Sequence, residues 1–363
     1  MKFKSVRILL GGLFFLFSCA TNTTPTSPND QLVLSDSIPN GPIPGQMNRP
    51  KENTTTGTIH ITVDENLMPI IEAEIDNFET LYPRATVHAR YLPGEEAIAQ
   101  MLNNDSIRMA ISTRHLSREE TAILKRRNIS AKYAGIAYEG IALVVHKDNP
   151  LQKLTYEQLI GVLSGKISTW EQIVQEGLEG PINLVFDHAK SSTVRFLQDS
   201  ILGDQKMTRD RVYAQRNTPE VLSYVAENPT AIGFGGWAWI SDVDDREGRQ
   251  LKSGVNIVWL EKKEETPLCA FDQSYFGPYQ SYLLQRCYPL TRTVTTVMRE
   301  SLIGLGTGFV AHLDGPQGQR LIHKSGLATA HMIPRKVKLP PSENSRKIKE
   351  KYWKEDEKSS SKK

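Results

Sequence analysis

Short apolar strands alternate with amphipathic helices through the first part of the chain. Residues 58–63 (TIHITV) are β-branched and alternate in polarity, which predicts a strand. Residues 67–82 place apolar side chains three and four apart, which predicts a helix. The pattern then repeats, with strands at residues 85–91 and 109–112, a helix at residues 94–102, and a capping box at Ser117. The sequence therefore predicts an α/β fold with a largely parallel sheet and ligand loops at the strand ends.

The same reading extends toward the C-terminus. Residues 140–145 predict an apolar strand, residues 155–163 a helix, and residues 231–236 a glycine-rich strand or turn. Beyond them, the apolar pattern predicts a strand at residues 282–284 and helices at residues 294–303 and 317–324.

A hydroxyl-rich turn follows the short apolar run of residues 182–186. Ser191, Ser192 and Thr193 stand at the start of a segment with helical apolar spacing. A helix N-terminus has unpaired N–H groups and a partial positive charge, so it attracts anions. The hydroxyls either cap the helix or donate to a bound oxyanion, and the turn alone leaves both interpretations open.

The N-terminus has the order of a secretory signal. Basic residues precede an apolar run at residues 8–17, which is too short for a permanent membrane span. Leu16-Phe17-Ser18-Cys19 resembles a bacterial lipobox, so we expect residues 1–18 to be removed and Cys19 to carry lipid. An ordinary secretory signal with an incidental cysteine is the alternative. Residues 19–56, rich in Pro, Thr, Asn and Gly, predict a disordered tether to a membrane of the cell envelope, facing the periplasm.

Charge and cysteine content narrow the function classes. The chain has 363 residues and a formal charge of +3. The signal and the tail carry the excess of basic residues, so we expect no basic face for nucleic acid on the folded body. The tail, residues 336–363, has ten Lys or Arg against five Asp or Glu, and we expect it to be disordered or to contact anionic lipid or an envelope partner. Cys269 and Cys287 either form a disulfide or remain buried thiols. Because metal-ligand spacings and catalytic motifs are lacking, we expect no cofactor and no enzyme; we also expect a monomer.

Polar side chains collect where three predicted strands end. Residues 62–66, 112–114 and 187–193 each combine a strand end with a helix start, and each carries hydroxyls, acids or an arginine. Because this repeated geometry encloses a small anion, the sequence predicts an oxyanion site at these strand ends.

Several motifs in one order resemble the phosphate-binding lipoproteins of the phosphate-specific ABC importer, which are type II periplasmic binding proteins. The strongest match is residues 140–170 (GIALVVHKDNPLQKLTYEQLIGVLSGKISTW), followed by Ala231-Ile232-Gly233-Phe234, Tyr288-Pro289-Leu290 and residues 315–319. The resemblance covers roughly residues 57–334. It implies a two-lobed α/β fold with a hinge and a ligand cleft, in which lobe one is residues 57–139 plus 269–335 and lobe two is residues 140–268.

The resemblance also implies how the ligand is held. The family binds phosphate with backbone N–H groups, Ser and Thr hydroxyls, one arginine and one aspartate that takes the phosphate's proton. Carried over position by position, it gives as candidate ligand-binding residues Ser191, Ser192, Thr193, Asp187, Ser112, Thr113, Arg114, Glu65 and Asn66. Ser192 replaces the family's glycine, and Thr113 replaces its aspartate.

The family's arginine and aspartate are missing from their usual places, and an exchange across the cleft explains this. In that hypothesis, Arg114 supplies the bidentate cation and Asp187 accepts the proton of monohydrogen phosphate. The alternative is that Arg114 pairs with a surface acid and Asp187 caps its turn. For Glu65 and Glu95, we expect the backbone amides to face the site and the side chains to face outward.

The resemblance thus implies a binding lipoprotein that captures inorganic phosphate for an ABC permease. An envelope sensor or interaction protein on the same fold, with altered or lost ligand binding, is the main alternative. A binder of another oxyanion, such as sulfate or molybdate, is a further one.

Overall fold

The computed structural model describes residues 52–263, 266–300 and 302–331. All of them lie within one compact unit. The predictions for the signal, for Cys19, for most of the tether and for the charged tail fall outside the described residues. Within the described ranges, no helix combines the length and apolar character that a membrane span requires.

Strands and helices alternate along the described chain, as the periodicity predicts. The strands are β1 (Thr56–Asp64), β2 (Arg84–Leu92), β3 (Ile107–Ser112), β4 (Lys132–His146), β5 (Lys153–Leu154), β6 (Asn183–Phe186), β7 (Val212–Ala214), β8 (Ala231–Gly236), β9 (Val255–Ile257), β10 (Trp259–Glu261), β11 (Tyr275–Phe276), β12 (Thr291–Met298) and β13 (Ala328–Thr329). The helices are α1 (Met68–Leu81), α2 (Gly94–Asn103), α3 (Arg118–Arg126), α4 (Tyr156–Ser164), α5 (Ser192–Phe196), α6 (Thr218–Glu227), α7 (Arg246–Lys252), α8 (Gln280–Leu284), α9 (Leu305–Asp314) and α10 (Pro316–Lys324). Helix α5 continues into a π-helical turn, Leu197–Leu202. The predicted capping box at Ser117 is confirmed.

The folded body begins before the predicted boundary at residue 57. Glu52 Oε1 accepts hydrogen bonds from Arg108 Nη1 at 2.6 Å and from the backbone N–H of Leu305 at 3.0 Å. Residues 52–56 therefore pack against the body, within the segment assigned to the tether.

One long strand, β4, joins two groups of strands into a single sheet of order β2-β1-β3-β12-β4-β8-β6-β7. Strand β1 is parallel to β2 and β3, and β6 is parallel to β7 and β8. Strand β12 is antiparallel to β3 and β4, and β8 is antiparallel to β4. The sheet is therefore mixed, instead of largely parallel as predicted. Strand–helix alternation favours parallel neighbours along the chain, but β12 is inserted from the distant C-terminal part without a helical crossover.

Strand β4 changes its hydrogen-bonding partner strands along its length. Its first half pairs with β12 and β13, and its second half pairs with β8 and β9. The change occurs near Gly140, the predicted lobe boundary, although the lobe boundaries themselves stay a prediction. We call the β2-β1-β3-β12 group the first half of the sheet and the β8-β6-β7 group the second half.

The buried core contains the apolar side chains that the sequence pattern of the strands predicts. Ile59, Ile61 and Val63 of β1 are fully buried, and so is the β4 run that the sequence shows as continuous apolar residues. Under the second half of the sheet, the Phe186 and Phe234 rings stack with centroids 5.0 Å apart. This packing fixes the ends of β6 and β8, where the polar turns begin.

Two predictions for the C-terminal part are wrong. Residues 282–284 belong to helix α8 instead of a strand. Residues 291–298 form strand β12, so the helix predicted for residues 294–303 is absent there. The run TRTVTTVM is rich in β-branched side chains, whose stiff χ1 angles favour a strand; the helical spacing within it is accidental. The helix predicted at residues 317–324 is confirmed as α10.

A disulfide joins Cys269 and Cys287, which settles the alternative left open by the sequence. The two cysteines are separated by 18 residues, so the bond ties the segment before β11 to the end of α8. A bond across a loop of this length stabilises the native state chiefly by restricting the unfolded chain.

Replacing both cysteines with serine is expected to lower the free energy of unfolding by about 3 kcal/mol, the loop-closure value for a loop of this size. Urea unfolding of the double variant and the wild type measures the loss. A reductant should destabilise the wild type similarly and leave the variant unchanged. Equal stability of both proteins without reductant would contradict the prediction.

Candidate anion-binding site

Three strand ends bring their polar side chains together between the two halves of the sheet. Strand β1 ends at Asp64 and is followed by Asn66, Thr113 follows β3, and Asp187 follows β6. Asn66 links the two aspartates, because its N–H donates to Asp64 Oδ1 at 3.2 Å and its Nδ2 donates to Asp187 Oδ2 at 2.7 Å. Its Oδ1 accepts from Thr218 Oγ1 at 2.8 Å. The predicted convergence of Asn66, Asp187 and Thr193 is therefore present in the structure.

Asp187 is fully buried and acts as a hydrogen-bond acceptor. Besides the bond from Asn66, its Oδ2 accepts from Thr193 Oγ1 at 3.0 Å, and its Oδ1 accepts from the His188 N–H at 3.0 Å. These are the kinds of donors that a bound oxyanion uses.

The three hydroxyls at the start of α5 have different partners. Ser191 caps the helix, since its Oγ accepts from the Val194 N–H at 3.2 Å. Thr193 donates to Asp187, and Ser192 Oγ accepts from Arg292 Nη1 at 2.9 Å. The capping interpretation thus holds for Ser191, whereas the next two hydroxyls face the polar cluster.

The cation of the cluster is Arg292, which sequence reasoning missed. Its side chain is completely buried, and its Nε and Nη2 donate to Glu139 Oε2 at 3.0 and 2.7 Å. Arg292 on β12 and Glu139 on β4 are direct partners in the antiparallel register, so the sheet itself sets this pair. Burial raises the pKa of Glu139 to about 7, against the opposing charge of Arg292.

Asp64 is the second aspartate of the cluster and is also fully buried. It accepts from Thr113 Oγ1 at 3.3 Å and from the Asn66 N–H at 3.2 Å. Burial raises the pKa of Asp64, and Arg292 and the hydrogen bonds only partly oppose this. The cluster therefore holds three buried carboxylates, those of Asp64, Asp187 and Glu139, around a single guanidinium.

A glycine lets the two sides of the cluster approach. A Cβ atom on Gly94 would lie 2.7 Å from Ser192 Cβ and 2.9 Å from Asp64 Oδ2. Both distances are shorter than real Cβ contacts, so only glycine permits helix α2 to start this close to α5.

Arg114 lies beside the cluster and binds two glutamates. Its guanidinium donates to both carboxylate oxygens of Glu95 and of Glu120, at 2.7 to 3.1 Å. Glu95 also accepts from Arg195 on α5, which links α2 to α5. The alternative, pairing with nearby acids, therefore describes the contacts of Arg114, because Glu95 and Glu120 both lie within hydrogen-bond distance of it. The exchange hypothesis concerns contacts to a bound phosphate and stays a prediction.

The remaining predicted residues differ in whether their side chains have hydrogen-bond partners. Thr113 reaches Asp64, while Ser112 is buried, and its hydroxyl has no hydrogen-bond partner. The Glu65 side chain does not face outward as expected: its Oε1 is buried without a partner. Burial, with the neighbouring charges of Asp187 and Asp64, raises the pKa of Glu65 to about 8.

Signals for two of the three missed residues, Asp64 and Arg292, were present in the sequence. Asp64 ends the predicted strand, immediately before the two turn residues that were chosen. Arg292 lies in a β-branched run, and reading that run as a strand would have placed it in the sheet. Glu139 carried no signal, because a single acid in an apolar strand does not name its partner. Among the described residues, no group of three or more His, Cys, Asp or Glu could hold a metal ion.

The chain belongs to the PBP superfamily: residues 48–313 match the model for a PBP superfamily domain. This confirms the predicted family and fold class, the two-lobed α/β periplasmic-binding-protein fold.

Individual relatives agree with that family. The phosphate-binding protein PstS of Staphylococcus aureus (strain USA300) is 28% identical over 134 residues, which cover 36% of this chain and 39% of that protein. A Clostridium perfringens structure, assigned to phosphate ABC transport and holding bound phosphate, has a TM-score of 0.61 at 22% identity and covers 76% of this chain and 100% of its own. An ABC-type phosphate transport receptor from Vibrio cholerae has a TM-score of 0.55 at 20% identity, with 75% and 100% coverage. At these identities the two structures show the shared fold.

Glu65→Gln is expected to raise stability at alkaline pH. The pKa of Glu65 rises from its usual 4.5 to about 8 on folding, so the protonated form is the one the fold favours. The contribution of the protonated Glu65 carboxyl to stability is therefore fully present below about pH 4.5 and is lost as pH rises through about 8. Glutamine does not ionise, so the variant does not undergo this loss. The melting temperature of wild type and variant, measured across this pH range, tests this.

The exposed Glu96 provides the matched control, since Glu96→Gln should keep the wild-type pH profile. If the Glu65→Gln and wild-type melting curves shift in parallel with pH, the carboxyl of Glu65 does not titrate as its environment requires.

Proposed function

We propose that this protein captures inorganic phosphate between the two halves of its sheet and delivers it to an ABC permease. The observation that carries the proposal is the buried guanidinium of Arg292, which bonds to Ser192 beside two aspartates that accept hydrogen bonds. The relatives described as phosphate-binding proteins support the same ligand.

Arg292 supplies the positive charge for the anion. Its Nη1 donates to Ser192 Oγ, so a phosphate oxygen that replaces this hydroxyl contact gains a charge-assisted hydrogen bond. Asn66 Nδ2 and the Thr193 hydroxyl are further donors within the same cluster. Together they provide the cationic and hydroxyl side of the site.

Asp187 supplies the proton acceptor, the role that the sequence gave it. An ionised carboxylate can only accept hydrogen bonds, so it favours an anion that carries a proton. Sulfate has no proton at neutral pH and is repelled, whereas phosphate donates one.

Entry of phosphate requires the two halves to part. In the structure, Asn66 bonds directly to Asp187 and to Thr218, and Glu95 bonds to Arg195 across the same boundary. These contacts must open and re-form around the anion, which is the hinge motion expected of a two-lobed binding protein.

Outside the described body, the same proposal includes Cys19 as the lipid attachment site. A lipid-anchored protein at a bacterial membrane, facing the periplasm, stays close to its permease without entering the bilayer.

A sensor on the same fold is the second candidate. The direct bond of 2.7 Å between Asn66 and Asp187 favours it, since a protein carboxylate there occupies donors that a ligand uses. Such a protein closes without phosphate and signals through its closed surface.

Arg292→Lys is expected to weaken phosphate binding at least tenfold, or about 1.4 kcal/mol, because lysine keeps the charge but loses the planar fork that serves Glu139 and the ligand together. Calorimetric titration of the purified protein, freed of phosphate, measures the change. Arg299→Lys is the matched control: Arg299 follows the same strand but binds Asp105 and Met101 instead of the cluster. Unchanged affinity in a folded Arg292→Lys protein would remove Arg292 from the site.

Asp187→Asn is expected to lower the ratio of phosphate to sulfate affinity about tenfold. An amide can donate to an unprotonated oxygen, so the variant no longer requires the ligand's proton. Titration of wild type and variant with both anions gives the ratio. A variant that still rejects sulfate as strongly as the wild type would show that Asp187 does not read the proton.

A further inference from the structure

A second cleft, lined by none of the residues of the anion cluster, lies between helices α1 and α7. It encloses about 480 Å³ and takes its walls from both halves of the sheet. Met68 begins α1, which connects β1 to β2, while Trp239 and α7 follow β8. Its floor is apolar and partly exposed to solvent. The side chains of this floor include Met68, Trp239, Leu251 and Leu321.

The rim of this cleft is acidic. Five acids line it against one lysine, Lys324, so its formal charge is 1 − 5 = −4. The five acids are Glu72, Asp242, Asp244, Asp245 and Glu247. None of them forms an ion pair with a residue in the described ranges. We call this cleft with its rim the acidic groove. Unpaired negative charge around an exposed apolar floor fits a cationic segment that also carries large apolar side chains.

Residues 346–354 (RKIKEKYWK), in the tail outside the described residues, have the matching composition. They contain five Lys or Arg and one Glu, which gives a formal charge of 5 − 1 = +4. Ile348, Tyr352 and Trp353 stand between these cations. Aromatic side chains bury a large apolar area when they enter a pocket. The segment therefore complements the acidic groove both in charge and in apolar content.

The chain is long enough to bring this segment to the groove. Ser325 lines the groove, and the described chain ends at His331. The six residues between these positions span at most about 20 Å, whereas the 15 residues from 331 to 346 can span about 50 Å. A short covalent connection also keeps the segment at an effective concentration of about millimolar, so a weak contact is enough to hold it.

We propose that residues 346–354 bind in the acidic groove of the same molecule, with the Trp353 ring on the apolar floor and the lysines at the carboxylate rim. The inference goes beyond the proposed function, since it does not involve the anion cluster. Because the groove has walls from both halves of the sheet, a bound tail contacts both halves and opposes their separation.

Carbodiimide cross-linking of the unmodified protein, with its tail intact, tests the proposal. The reagent joins a lysine amine directly to a carboxylate as an amide and itself takes up the water that is lost. It does so only where the two groups are in contact. Mass spectrometry of the monomeric product should find Lys349, Lys351 or Lys354 linked to Asp244 or Glu247. The yield should fall as salt is raised from about 0.1 M to about 1 M, because the Debye length falls from about 10 Å to about 3 Å.

Three results would overturn the proposal. Tail lysines linked as often to exposed acids outside the groove, such as Glu176 and Asp204, would show that the tail has no preferred seat. Links found only in cross-linked dimers would place the tail on a second copy of the chain. A protein without tail links would mean that the tail serves a lipid surface or another protein instead.

A charge swap tests the pairing itself. Asp244→Lys with Glu247→Lys removes the expected links, and adding Lys349→Glu with Lys351→Glu should restore them with the polarity reversed. A folded protein with all four changes that gives no links would contradict the proposal. In the matched control, Glu176→Lys with Asp204→Lys should keep the wild-type links.

Trp353→Ala tests the apolar contact, because it leaves every cross-linking lysine in place. The yield of links to the groove should fall several-fold, since the aromatic anchor is lost. Leu339→Ala, an apolar tail residue outside the proposed segment, is the matched control and should keep the wild-type yield. An unchanged yield in Trp353→Ala would contradict the placement of the ring on the groove floor.

Discussion

The buried pair of Arg292 and Glu139 is the interaction on which the rest of the site depends. It joins β12 to β4 at the point where β4 passes from the first half of the sheet to the second. Removing one partner of such a pair costs about 3–5 kcal/mol, because the other charge is left buried and unpaired. The pair thus fixes Arg292 Nη1 toward Ser192, and it couples the geometry of the sheet to the position of the only guanidinium among the buried carboxylates described here.

The buried pair bears on what the cleft can select. In the proposed function, Arg292 supplies a positive charge while it also binds Glu139, and Asp187 supplies an acceptor for a proton of the ligand. When ionised, Asp187 only accepts hydrogen bonds, and it holds the hydroxyl of Thr193. Gly94 permits the close approach of α2 that brings these groups together. Selectivity in this account comes from unmatched acceptors, which reject a ligand without protons even when its shape is right.

The strand-end rule explains how much of the site the sequence could predict. Residues at the ends of β1, β3 and β6 were expected to converge, and Asn66, Asp187 and Thr193 do so. Arg292 could not be placed in the same way, because it lies 153 residues from Glu139 and reaches the site only through antiparallel pairing. The sequence shows that Arg114 follows a strand, but it does not show which acid the guanidinium will bind. Arg114 was therefore assigned to the ligand. The family and the α/β fold were predicted correctly, because several motifs of the family occur in this sequence in the same order. The inserted antiparallel strand was missed, because its β-branched residues also show helical spacing.

A crystal structure of the protein grown with phosphate at mildly acidic pH tests the central claim most directly. The account predicts a phosphate within hydrogen-bond distance of Arg292 Nη1 and Asp187, with the bond from Asn66 Nδ2 to Asp187 replaced by contacts to the anion. The Arg292–Glu139 pair should remain intact. A phosphate bound elsewhere, or a bond from Asn66 Nδ2 to Asp187 that persists at saturating phosphate, would contradict it.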